Sequence, residues 1–125
     1  MKKNEIISPN YPSNYSNKEL CNWEILAPKG HKIVLNFQDF NLERSRNCKH
    51  DYLKVSDAHL SQIQQIYEPM CGQPLPFEPI ISNGRKLQLK FKSGKSGTAR
   101  GFKITYALIG LEIILNSCNN VLWFV

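Results

Sequence analysis

The chain has 125 residues, and the fold it predicts is all-β: a sandwich of two antiparallel sheets. Three observations carry that expectation. Apolar and polar residues alternate with period two in segment after segment, the pattern of strands with one buried face. Clusters of Pro, Gly, Asn, Ser and Asp separate these segments at short intervals, as turns do in sandwiches. No convincing helical stretch appears before residue 108.

The first segment, SPNYPSNYSN at residues 8–17, sets two tyrosines among turn-formers and reads as a loop. In CNWEIL, Cys21, Trp23 and Ile25 fall on one face. In HKIVLNF, Ile33, Leu35 and Phe37 do the same. HDYLKVSD and QQIYEPM are two further strands with a weaker pattern. In RKLQLKFK, Leu87, Leu89 and Phe91 alternate with Gln88, Lys90 and Lys92. In GFKITYAL, Phe102, Ile104 and Tyr106 alternate with Lys103 and Thr105. The stretches APKG, SRNCKH, SDAH, ISNG and SGKSG punctuate them. Each sheet is expected to keep one wet face, and Lys90, Lys92 and Lys103 are expected to share it. Alternation stops near Leu108, so residues 109–125 are read as a tail outside the main domain.

The length fits one domain, and 21% charged residues is not a disordered composition. No run of about 18 apolar residues is present to span a membrane. The start, MKKNEIISPNY, has no apolar core of a signal peptide. The net charge of +6 is uneven. From Pro79 to Leu111 there is no acid, while Arg85, Lys86, Lys90, Lys92, Lys95, Arg100 and Lys103 lie there. Such a strip suits anionic partners such as sulfated glycans, acidic proteins or nucleic acid; the plainer reading is the solvated face of a sheet. Cys21, Cys48, Cys71 and Cys118 form no C-x-x-C pair, against a zinc ribbon or a thioredoxin motif. Their wide spacing is compatible with disulfides in an oxidising compartment or with buried thiols. His31, His50 and His59 accompany no nucleophile motif. His50 and Asp51, adjacent in an extended chain, face opposite ways and cannot form a relay. Cys48, His50 and His59 lack the spacing of a zinc set. No catalysis is expected.

SPNYPSNY, CNWEILAPKGHKIVLNFQDFNLE, CKHDYLKVSD, CGQPLPFEPIISNGRKLQLKF and GFKITYAL come in the order and spacing of a CUB domain, which residues 5–108 resemble. The resemblance implies a two-sheet antiparallel jelly-roll sandwich. It also implies a non-catalytic, secreted protein-interaction module of the kind found in complement, tolloid-type and ovochymase-like proteases, neuropilins and spermadhesins. The alternatives are a heparin-like glycan binder using the basic strip, or an accessory domain of an extracellular protease. An extracellular protein partner is implied, with no nucleic acid. The family's second disulfide maps to Cys48 and Cys71. Its first lacks a partner before Cys21, so Cys21 is expected to be free or to meet Cys118. The chain is accordingly expected to be a fragment or variant of a larger secreted protein.

Many CUB domains bind calcium through a Tyr, a Glu and two Asp. These map to Tyr15, Glu43 and Asp51, but Gly94 stands at the second Asp, between Lys92 and Lys95. Two alternatives are open. Calcium binds the reduced set, or Glu43 and Asp51 pair with Arg44, Arg46, Lys92 or Lys95. In calcium-binding relatives a partner's Lys or Arg meets these carboxylates, and Glu43 and Asp51 are expected to be able to receive one without the metal. Asn14-Tyr15-Ser16 is a glycosylation sequon.

Overall fold

The computed structural model describes residues 4–58, 65–73 and 78–110. The alternating segments are strands. In chain order they are β1 (Glu5–Ile7), β2 (Leu20–Leu26), β3 (His31–Asn41), β4 (Tyr52–Ala58), β5 (Gln65–Ile66), β6 (Ile80–Ile81), β7 (Lys86–Lys92) and β8 (Gly101–Gly110). Among the described residues the one helical piece is a 3-10 turn, Arg46–Cys48. One sheet has the order β1-β8-β3-β6 and the other β2-β7-β4-β5. Every paired neighbour is antiparallel. The expected strand QQIYEPM is shorter than its pattern: β5 holds Gln65–Ile66, and Met70 then makes a separate bridge to Leu53. Strand β8 continues to Gly110. The rest of the expected tail, Cys118 included, lies outside the described residues.

The inward positions are those the alternation marks. Leu87, Leu89 and Phe91 of β7 lie beside Leu53 and Val55 of β4 in one sheet, and Ile33, Leu35, Phe102 and Ile104 close the core from the other sheet; all are at most 1% exposed. Aromatic edges lock the layers together. Phe102 meets Phe91 at 5.4 Å and Trp23 at 5.8 Å between ring centroids, each edge to face. In β3 a register shift between Phe37 and Asp39 changes the parity. Ile33 and Leu35 point inward before it, Phe40 and Leu42 after it. Such a bulge places two residues against one and re-aims the side chains beyond it.

The topology corrects one expectation. Lys90 and Lys92 lie on β7 and Lys103 on β8, in different sheets. The chain changes sheet through residues 93–100, so the basic segment divides between the two sheets of the sandwich. Part of it is also neutralised. Lys103 pairs with Glu5 at 3.5 Å, Lys86 with Glu24 at 3.3 Å, and Arg100 with Asp39 at 2.6 Å. Arg85 is exposed in the turn before β7.

Candidate interaction site at one end of the sandwich

The turn-rich opening stretch is bolted down residue by residue. Ser8 is fully buried; its N–H donates to the Phe102 carbonyl, and its Oγ accepts from the Phe102 N–H. Tyr11 donates its hydroxyl to Asp39 Oδ2 at 2.6 Å. The Tyr15 N–H donates to the Ala99 carbonyl at 3.1 Å, and Thr98 Oγ1 donates to the Tyr15 carbonyl. The Tyr15 ring stands edge-on to Phe91 at 5.1 Å. Prolines and asparagines let the chain turn, and the tyrosines anchor it.

Tyr15 then reaches the end of the sandwich. Its hydroxyl donates to Asp51 Oδ2 at 2.6 Å and accepts the Glu43 N–H at 2.9 Å. Asp51 is fully buried, and its other oxygen accepts the Gly94 N–H at 2.7 Å. Burial, followed by the bond to Asp51, pushes the Tyr15 phenol well above its ordinary range. Tyr15, Glu43, Asp51 and Gly94, far apart in sequence, thus meet at one place. The Glu43 side chain remains exposed and lies against Gly97: a Cβ at Gly97 would come within 2.9 Å of Glu43 Cδ. A Cβ on Gly94 would sit 3.1 Å from Asp51 Oδ1.

The disulfide Cys48–Cys71, with Cα atoms 5.5 Å apart, closes the neighbouring loop. Leu42 and Gly72 exchange backbone hydrogen bonds at 3.0 Å beside it. Cys21 is a half-buried free thiol on β2; burial and then Glu19 push its pKa up.

An open cleft of about 710 Å³ lies beside Gly94. Lys18, Arg44, Lys49, Lys92 and Lys95 line it with His50; Glu19 and Glu43 supply its carboxylates. Sequence reasoning missed Lys18, Lys49 and His50 as members of this end. Lys18 is brought in by its N–H, which donates to the Gly94 carbonyl at 2.9 Å. Ser93 fastens the same corner: its Oγ accepts from the Glu19 N–H and donates to the Ser16 carbonyl, each at 2.7 Å. A Ser-rich SGKSG segment reads as a turn; that its serine pins the loop ahead of β2 at both Ser16 and Glu19 depends on what is adjacent in space. Asn14 is exposed and borders a shallower cleft with Asn41, Gln73 and Arg100.

Calcium takes six to eight oxygen ligands. Here both Asp51 oxygens already accept protein donors, and Gly94 contributes an N–H where a second Asp is expected. Glu43 is left as the exposed carboxylate of the expected set, amid several cations. Among the described residues no three His, Cys, Asp or Glu side chains gather as metal ligands. Nor do Glu43 and Asp51 pair with Arg44, Arg46, Lys92 or Lys95; the ion pairs of the described residues lie elsewhere. His50 is exposed while Asp51 is buried, and His59 lies outside the described residues.

The family model described as CUB domain matches residues 1–106. Human Tolloid-like protein 1 is 35% identical over 102 residues, which is 82% of this chain and 10% of that protein. Dog Cubilin is 37% identical over 120 residues, 94% of this chain and 3% of that protein. The chain therefore spans a small part of the curated relatives it matches. Among solved structures, the CUB1-EGF-CUB2 domain of human MASP-1/3 superimposes with a TM-score of 0.75 and 30% identity, covering 85% of this chain and 41% of the other. The MASP-1 CUB2 domain bound to Ca2+ gives a TM-score of 0.71 and 31% identity, covering 82% and 88%.

Proposed function

The chain belongs to the CUB domain family, and on that premise we propose that it is a non-catalytic protein-interaction module of a larger secreted protein, making contact through the Tyr15–Asp51 end. CUB domains are in general accessory modules of extracellular proteins rather than catalysts. One observation carries the choice of surface. The Tyr15 hydroxyl, the Asp51 carboxylate and the Gly94 N–H tie three loops together from beneath, while Glu43 and the lysines around it stay exposed. Side chains held on a braced rim suit recognition.

Contact at this end is read as independent of calcium, because Gly94 stands in place of an acidic ligand and five cations line the cleft beside it. Of the expected carboxylates a partner's Lys or Arg would find Glu43 exposed, with five cations lining the same cleft, so an inserted cation is not the favoured mode. Glycan binding along residues 85–103 has less support, since that segment divides between two sheets and three of its cations are paired.

Two measurements test this. A photoactivatable benzophenone replaces Lys95 or, as a control, Lys103 in the full chain, which is then exposed to proteins secreted by the source cells. Adducts several-fold stronger from position 95 are expected; equal adducts, or none from 95, overturn the reading. The melting temperature is expected to stay flat up to ~5 mM calcium; a rise of several degrees shows that the metal binds the native state.

A further inference from the structure

The charge around the cleft carries a more specific statement about what enters it. Lys18, Arg44, Lys49, Lys92 and Lys95 come from three separate segments and surround one space of about 710 Å³, a size common for ligand clefts. None of the five makes an ion pair among the described residues, whereas Lys86, Arg100 and Lys103 elsewhere on the surface each have a carboxylate. Two carboxylates, Glu19 and Glu43, face the five cations. The remaining acid at this end, Asp51, is buried and turned to Tyr15 and Gly94.

Lys18 adds a backbone observation. Its φ is +59°, in the left-handed region that side chains other than Gly, Asn and Asp rarely adopt. Its N–H bond to the Gly94 carbonyl holds it there, and the cost of the conformation is accepted with a lysine on the cleft wall. Like charges crowded around a concavity raise its potential and draw in counter-charge.

We propose that the cleft is an anion-accepting pocket that takes the carboxylate side chains of an acidic peptide segment on the partner, a statement that rests on this end being the contact surface. The Arg44 guanidinium suits two-point recognition of a carboxylate, and the lysines act as point charges around it. A peptide is favoured over a sulfated glycan for two reasons. Glu19 and Glu43 in the lining would repel a uniformly sulfated chain, and a peptide can meet them with its N–H groups. The cationic line leaving the cleft through Lys92, Lys90 and Lys54 also ends at Glu24, which already pairs with Lys86 and Gln88.

The experiment titrates the full chain into a fluorescein-labelled peptide of about ten Glu and Asp residues, and separately into a labelled heparin oligosaccharide, at rising salt. Saturable peptide binding that weakens with salt is expected. Lys49→Glu with Lys95→Glu should raise the peptide Kd about tenfold, and the milder Lys49→Gln with Lys95→Gln should move it in the same direction. Lys54→Glu with Lys90→Glu should change it by less than about twofold. Absence of peptide binding, equal loss in both pairs of variants, or tighter binding of the oligosaccharide overturns the inference. If cross-linking from position 95 still captures protein while the peptide fails, the contact surface stands and the acidic partner falls. If cross-linking also fails, the contact surface itself is wrong.

Discussion

At Tyr15 one hydroxyl serves two loops, donating to Asp51 and accepting from Glu43 N–H. Tyr15→Phe keeps the ring packed on Phe91 and removes both bonds, leaving the buried Asp51 with one donor. The expected cost is about 1–3 kcal/mol, a fall of roughly 4–8 °C in melting temperature per kcal/mol for a domain near this size. An unchanged thermal melt would show that the hydroxyl does not brace this end. A second residue prediction concerns acid. Arg100 donates two hydrogen bonds to Asp39, and Tyr11 a third. The Arg100 bonds chiefly hold the Asp39 carboxyl down at about 2, against an ordinary 3.8. A depressed folded-state pKa stabilises above the unfolded value, so this contribution is whole above about pH 4 and is lost as pH falls through about 2. It amounts to about 1–2 kcal/mol. Acid titration of stability should show that loss in the wild type and not in Asp39→Asn.

At the level of the element, Gly101 marks where β8 meets the opening stretch. Its φ is +94°, and a Cβ there would run into Ser8 Oγ. Ser8 is buried between Gly101 and the Phe102 N–H it bonds. Gly101→Ala therefore combines a disfavoured backbone with a collision that backbone hydrogen bonds prevent from relaxing. A loss of about 3 kcal/mol or more is expected, read as a lower denaturant midpoint at unchanged slope. Gly94 differs in kind. Its φ does not call for glycine, and what it contributes is an N–H aimed at Asp51 with room for no more than a tight Cβ.

For the whole molecule, Cys48–Cys71 ties the loop bearing Lys49 and His50 to the segment after β5. It closes a separation of 23 residues, for which chain entropy assigns about 3 kcal/mol. Cys71→Ser is expected to lower stability by about that amount, measured in urea. Because the bridge adjoins the cleft wall, the same variant should weaken acidic-peptide binding as well. An equal affinity after reduction would show that the wall stands without the bridge.

Strands with three in-phase apolar residues, such as Leu87, Leu89 and Phe91, were readable from order alone, because side-chain alternation is a local property of an extended backbone. The family resemblance, resting on several ordered motifs, brought Cys48 to Cys71 and Tyr15 to Asp51. Strands β1 and β6, of three and two residues, are too short to show a period, and the parity change in β3 depends on its pairing with β8. Alternation says which side chains turn inward; it does not say which sheet a strand joins. That is why Lys90 and Lys103, alike in sequence, belong to different sheets. Lys18, Lys49 and Lys95 converge on one cleft for a similar reason. Only long-range strand pairing decides which loops share an end, and so where charge gathers.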